Sequence, residues 1–96
     1  MKKFVLLYVG TRRQPTPEAM EKVKKWFEIL GERIVDSGNP LVPAKDITPS
    51  GTKEVKEQEN EQVLGYSIVN AENIEEIEKL AKECPTNIRA YEALPM

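Results

Sequence analysis

The sequence of 96 residues contains no histidine. Without imidazole the chain cannot build a Ser-His-Asp or Cys-His catalytic group or a histidine metal site. A single cysteine, Cys84, excludes a disulfide within the chain and is interpreted as a buried small hydrophobic residue. The acidic residues are dispersed and lack the spacing of an oxygen-ligand loop, so we expect neither a metal ion nor another cofactor.

Long apolar runs and an excess of either charge are also lacking. The apolar run Phe4 to Val9 is far shorter than the roughly 18 residues of a membrane helix, and no signal-peptide cleavage pattern follows it. A total of 14 Lys and Arg against 16 Asp and Glu gives a net charge of -2, too balanced for a broad cationic surface. We therefore expect one cytoplasmic domain over residues 1–96, with no membrane and no nucleic-acid partner.

Several segments have the composition of β-strands. Phe4 to Val9 is continuously apolar, which is typical of a central strand. The stretch Lys53 to Gln62 has Val55 as its only apolar residue and predicts an exposed ribbon or a loose, mobile loop. The strand candidates, in chain order, are Phe4 to Val9, Ile34 to Ser37, the weak segment Ala44 to Thr48, Val63 to Asn70, and Ile88 to Leu94.

Two helices are predicted from capping residues and apolar spacing. The first begins after Thr16 with a proline at its first position and ends near Gly31, although its stripe could run to Ile34. Trp26 lies on the flank of that stripe, which predicts partial burial. The second begins after Asn73, with Cys84 on its apolar stripe, and stops at the following proline. The first stripe consists of Met20, Val23, Phe27, Leu30 and Ile34.

This order of elements predicts an α+β fold, a ferredoxin-like sandwich with a mainly antiparallel sheet and both helices on one face. Both sides of the strand Phe4 to Val9 are apolar, but the helices cover only one. The uncovered side contains Val5, Leu7 and Val9, with Val69 and Val63 expected to extend it. A bare apolar sheet face predicts a homodimer packed sheet to sheet.

The chain resembles the YCII-related family in segments spread over nearly its whole length. These are Lys2 to Tyr8, Val35 to Leu41, Gly65 to Val69, Leu80 to Pro85 and Tyr91 to Met96. The resemblance implies a ferredoxin-like fold assembled as a dimeric α+β barrel, with Asp36 matching the family aspartate. Two features depart from the family: the Asp-Gly-Pro-Phe segment has no counterpart, and Thr86 stands where many members carry the histidine that pairs with the aspartate.

Several polar residues are candidates for a site. Asp36 precedes a Gly-Asn-Pro turn and is interpreted either as a general base or as an acceptor for turn amides. Arg12 and Arg13 could bind a small anion or lie in a solvated loop. Tyr8, Tyr66 and Ser67 could present hydroxyls to a cleft or serve packing. The residues predicted to contact a ligand are Tyr8, Arg12, Asn39, Tyr66 and Ser67.

The favoured hypothesis is a homodimer that binds a small polar or aromatic metabolite in a cleft near Asp36. One alternative is an enzyme of lyase, isomerase or oxygenase type with Asp36 as general base, by analogy with related barrels. Another is a protein-interaction module in which Lys53 to Gln62 contacts a partner. The lack of histidine favours binding over catalysis.

Overall fold

The computed structural model describes residues 1–96 as six strands, two α-helices and two short 3₁₀ turns. In chain order the main elements are β1 (Lys2–Gly10), α1 (Pro17–Leu30), β2 (Ile34–Asp36), β3 (Asp46–Thr48), β4 (Gly51–Lys53), β5 (Gln62–Ala71), α2 (Ile74–Ala81) and β6 (Asn87–Ala93). Neither helix has the length and the apolar character needed to cross a bilayer.

The main sheet has four strands in the order β2-β5-β1-β6, and every neighbouring pair is antiparallel. The predicted central position of the apolar strand is therefore confirmed, because β1 pairs on both of its edges. Strands β3 and β4 form a separate two-stranded hairpin. The prediction of an α+β fold with a mainly antiparallel sheet and two helices is confirmed, and the arrangement is compatible with a ferredoxin-like fold.

Helix α1 begins and ends at the predicted residues. The amide of Ala19 donates to the Thr16 side-chain oxygen at 3.1 Å, and Pro17 occupies the first helical position, where its missing N–H costs nothing. Gly31 ends the helix with a φ of 53°, and a 3₁₀ turn over Gly31–Arg33 follows. The possible extension to Ile34 is therefore wrong, since that residue starts β2.

The buried side of α1 differs from the predicted stripe. Trp26 is only 2% exposed, so the prediction of partial burial is wrong, whereas Met20 is 63% exposed and Val23 42%. Burying an indole removes more apolar surface from water than burying a methionine or valine, which favours the orientation that turns Trp26 inward. Val23 lies over a cavity instead of over the sheet.

The core lies between the helices and one face of the sheet. It consists of Phe4 and Leu6 from β1, Val69 and Ala71 from β5, Trp26 and Leu30 from α1, and Ile77 from α2. Val69 was expected on the uncovered face, but its side chain is fully buried. The reason is the register: Val69 pairs with Phe4 and shares its side of the sheet.

Val9 is a second correction to the uncovered face. It is 6% exposed, whereas alternation along β1 predicts that it points away from the helices. The register between β1 and β5 shifts after Tyr8, which is typical of a β-bulge, and a 3₁₀ turn over Glu59–Glu61 lies near this end of β1. Val63 pairs with Val9 beyond the shift and is half-buried.

Helix α2 starts as predicted but ends earlier. The Glu76 amide donates to the side chain of Asn73 at 3.0 Å, which confirms the N-cap. The helix ends at Ala81, before Cys84, and the Cys84 amide donates to the Ala81 carbonyl in a tighter turn. A residue that precedes proline is disfavoured in helical geometry, which explains the early end.

The corrected orientation of α1 can be tested by truncating one residue on each side of the helix. Leu30→Ala removes a fully buried side chain and should lower the free energy of unfolding by about 2 to 5 kcal/mol. Met20→Ala, on the exposed side of the same helix, should change it by less than about 0.5 kcal/mol. Urea denaturation of both variants measures the difference, and equal losses would contradict the observed orientation.

Candidate functional site

A cavity of about 440 Å³ lies between α1 and the segment that follows β2; we call it the α1 cavity. Helix α1 contributes Val23, Trp26 and Phe27 to its walls, and the segment Ser37 to Pro40 forms the opposite side. The turn after α2 adds Cys84, Pro85 and Thr86, and Tyr8, Leu64, Gly65 and Tyr66 complete the lining. The cavity is thus built by segments distant in sequence that the sheet brings together.

The wall formed by residues 37–40 is held against β5 by backbone hydrogen bonds. The Tyr66 amide donates to the Asn39 carbonyl at 3.3 Å, and the Leu41 amide donates to the Leu64 carbonyl at 2.9 Å. Gly38 has a φ of 87°, and a Cβ atom there would lie 1.6 Å from the Tyr66 carbonyl oxygen. Only glycine can therefore occupy position 38 while this wall keeps its place.

Three side chains form a directed chain of hydrogen bonds beside the cavity, which we call the hydroxyl relay. The indole N–H of Trp26 donates to the Tyr8 hydroxyl at 3.0 Å. Tyr8 donates to Ser67 Oγ at 2.8 Å, and Ser67 donates to the Ser37 carbonyl at 2.7 Å. An indole can only donate and a carbonyl can only accept, so the direction of the relay is fixed at both ends.

Two titratable groups of the cavity, the Tyr8 phenol and the Cys84 thiol, are protonated at neutral pH. Burial raises the pKa of the Tyr8 phenol above its usual value, and its hydrogen bonds to Ser67 and from Trp26 offset that only in part. Burial likewise raises the pKa of the Cys84 thiol. No lysine, arginine, aspartate or glutamate lines the cavity. Its chemistry is therefore that of a neutral, mainly apolar pocket with a hydroxyl-bearing floor.

Asp36 lies outside the α1 cavity and is exposed. The Gly38 amide donates to Asp36 Oδ1 at 2.8 Å, so the interpretation of this carboxylate as an acceptor for a turn amide is confirmed. The Tyr66 hydroxyl donates to Oδ2 at 3.3 Å, and the Asn39 side chain donates to that hydroxyl at 3.5 Å. A role of Asp36 as general base stays a prediction.

The predicted site residues thus fall into two groups on opposite sides of the sheet. Tyr8 and Ser67 belong to the relay on the side of the helices. Asp36, Tyr66 and Asn39 form a cluster on the other side, since Tyr66 and Ser67 are consecutive along β5. Asn39 and Tyr66 also contribute to the lining of the α1 cavity, so these two residues connect the Asp36 cluster with the cavity.

Arg12 is engaged in contacts outside the cavity. Its guanidinium donates to Glu57 at 2.8 Å, to the Val63 carbonyl at 2.7 Å and to the Leu41 carbonyl at 3.3 Å. Glu57 also accepts from the Val63 amide at 2.8 Å. Arg12 therefore fastens the charged stretch to the sheet through Glu57, and its predicted contact with a ligand stays untested. Arg13 is exposed, as in the solvated-loop interpretation.

The sequence did not identify Trp26, Ser37 and Thr86 as parts of one site. Trp26 acts through its indole N–H, and Ser37 through its backbone carbonyl, for which no side-chain pattern exists. Thr86 lines the cavity beside Cys84, with Sγ and Oγ1 3.6 Å apart. The one pattern in the sequence that points to this site is the alternation along β5, which places Ser67 on the same side of the sheet as Val69.

Comparison of the chain with models of known protein families, with curated proteins and with solved structures finds no match. No group of three cysteine or carboxylate side chains comes close enough together to hold a metal ion. The geometry of the α1 cavity is therefore the main guide to function.

The contact between Arg12 and Glu57 predicts a pH-dependent contribution to stability. The hydrogen bond from the Val63 amide, followed by that from Arg12, lowers the pKa of Glu57 below its ordinary value of 4.5. A carboxylate with a lowered pKa stabilises the fold above its unfolded pKa, and this stabilisation is lost as the pH falls through the folded pKa. Glu57→Gln should therefore lower the melting temperature at pH 7, and the difference from the original protein should shrink below about pH 4.5.

Glu59→Gln is the matched control, because the Glu59 side chain is exposed and makes no hydrogen bond. Thermal unfolding from pH 7 to pH 3 compares the two variants. A pH-independent difference for Glu57→Gln, or an equal one for Glu59→Gln, would contradict the assigned contact.

Proposed function

We propose that this protein is a homodimer with a ferredoxin-like fold, assembled as a dimeric α+β barrel, whose α1 cavities each bind one small aromatic molecule. The observation that carries this proposal is the cavity itself: an apolar, aromatic-walled space of about 440 Å³ with the half-buried, hydrogen-bonded Tyr8 in its lining. Cavities that bind small ligands typically measure about 300 to 1,000 Å³ and combine apolar walls with a few fixed polar groups.

The walls favour a flat, apolar ligand. Trp26 and Phe27 of α1 and Tyr8 of β1 contribute aromatic rings, with Leu64 and Pro40 as aliphatic neighbours. Aromatic side chains pair well with another ring in stacked or edge-to-face geometry. The volume suits a molecule of one or two rings.

Binding is favoured over catalysis by the chemistry of the lining. The Tyr8 phenol and the Cys84 thiol are both protonated at neutral pH, so neither supplies a base or a thiolate nucleophile there. Asp36 has hydrogen bonds to both of its carboxylate oxygens and lies outside the cavity. The enzyme and interaction alternatives, and membership of the YCII-related family, stay predictions.

The uncovered sheet face supports the dimer. Val5 and Leu7 of β1, Ile68 of β5 and Tyr91 of β6 share the side of the sheet that carries no helix, and Tyr91 is 54% exposed. The protomer measures 41 × 40 × 18 Å, which is thin for its width. Two such sheets packed face to face would enclose these side chains between them.

Ligand binding can be tested by narrowing the mouth of the α1 cavity. Val23→Trp places a bulky ring at a partly exposed lining position, whereas Met20→Trp places the same ring one turn away, outside the lining. Thermal shift against a panel of small aromatic metabolites should give at least one hit for the original protein. A ligand at 100 times its dissociation constant adds about 2.7 kcal/mol of stability.

The same ligand should fail to stabilise Val23→Trp and should still stabilise Met20→Trp, with circular dichroism verifying that both variants are folded. A panel without any hit would overturn the proposed cavity function. Equal stabilisation of both variants would move the binding site elsewhere on the protein.

The dimer can be tested by placing a charge on the uncovered face. Val5→Glu introduces a carboxylate opposite Ile68 and Tyr91, where a monomer can solvate it but a packed pair of sheets cannot. We expect the dimer dissociation constant to rise by about a hundredfold or more, because each subunit would bury an unpaired charge. Sedimentation velocity measures this, with Met20→Glu on exposed α1 as the control. A monomeric original protein at micromolar concentration would overturn the proposed assembly.

A further inference from the structure

The lining of the α1 cavity offers no counter-ion to a bound molecule. No lysine or arginine lines it, and the guanidinium of Arg12, which lies outside the lining, donates to Glu57 and to the Leu41 and Val63 carbonyls. A carboxylate or phosphate that entered the cavity would lose its hydration without gaining a cation. The cavity therefore disfavours anions.

The hydroxyl relay also leaves no proton for a ligand. Trp26 gives its only N–H to Tyr8, Tyr8 gives its hydroxyl proton to Ser67, and Ser67 gives its own to the Ser37 carbonyl. Each hydroxyl oxygen can accept further, but Ser67 is fully buried. The remaining lone pair of the half-buried Tyr8 hydroxyl is therefore the group of the relay that a bound molecule can reach, and it accepts a hydrogen bond.

The other polar groups at the rim do not oppose this preference. The hydroxyls of Ser37, Tyr66 and Thr86, the Cys84 thiol and the Asn39 amide each carry both a donor and an acceptor, so they suit either kind of partner. Selection between ligands that donate and ligands that only accept falls to Tyr8, whose role is fixed by the direction of the relay.

We infer that the α1 cavity selects neutral aromatic molecules bearing a hydrogen-bond donor, of the phenol, aryl-amine or indole class, over anions and over pure acceptors of the same shape. This inference rests on the proposed function, since it specifies the ligand of that same cavity. The donor of the ligand would point to the Tyr8 oxygen, and its ring would lie against Trp26 and Phe27.

Three probes of nearly the same shape separate the alternatives: 2-naphthol, which is neutral and donates, 2-methoxynaphthalene, which only accepts, and 2-naphthoate, which is anionic at pH 7. Isothermal titration calorimetry should show 2-naphthol binding about tenfold more tightly than the methoxy compound, the effect of one hydrogen bond. Its advantage over 2-naphthoate should be about a hundredfold. Val23→Trp should lose 2-naphthol binding, which places the probe in the α1 cavity.

Two variants of the hydroxyl relay change the hydrogen-bonding capacity of Tyr8 in opposite ways, and the affinities for the same probes measure both changes. Tyr8→Phe removes the acceptor and should bring the ratio of naphthol to methoxynaphthalene affinity close to one. Ser67→Ala keeps the Tyr8 hydroxyl but frees its proton, so the variant should bind 2-methoxynaphthalene more tightly than the original protein does. Near-ultraviolet circular dichroism checks the packing of both variants. If a variant fails to fold, the preference of the original protein for 2-naphthol still tests the inference.

If 2-naphthoate or 2-methoxynaphthalene binds as tightly as 2-naphthol or more tightly, the inference is overturned, but the proposed binding function of the cavity is not. Absence of binding by all three probes would also overturn the inference, whereas the proposed function fails only if the wider panel of aromatic metabolites gives no hit either.

Discussion

The antiparallel pairing of β1 with β5 is the constraint on which the rest of the molecule depends. It sets Leu6 opposite Ser67 and Phe4 opposite Val69, which fixes the side of the sheet that the helices cover. The same register brings the Tyr8 hydroxyl within 2.8 Å of Ser67 and puts Trp26 above both. A slip of one residue would turn these side chains to the other face, so the core and the cavity are specified together.

The fold could be predicted largely from local patterns. The apolar strand, the Thr16 and Asn73 caps and the terminating residues of α1 are each recognised by neighbours within a few positions, and the structure contains them. The predictions were wrong where a contact between residues distant in sequence decides which side chain is buried. Trp26 turns inward because of its partner on β1, and Val69 is buried because of its partner in the sheet.

The candidate site was predicted only in part. Tyr8, Ser67, Asn39 and Tyr66 all border or support the α1 cavity, but the sequence could not indicate that Asp36 and Ser67 lie on opposite sides of the sheet. The register shift between Ile34 and Asp36 in the pairing of β2 with β5 breaks the alternation that such a prediction uses. Backbone groups that complete the site, such as the Ser37 carbonyl, have no signature in side-chain identity.

The hairpin of β3 and β4 forms a sheet of its own, with all six of its residues exposed, and the chain that follows it is fastened to the sheet by Glu57. The tip of this hairpin therefore takes no part in the strand pairing of the main sheet. That tip, at Pro49 and Ser50, is a suitable place to splice in an affinity tag or a fluorescent peptide, because the graft would leave the register of the large sheet and the ligand pocket as they are.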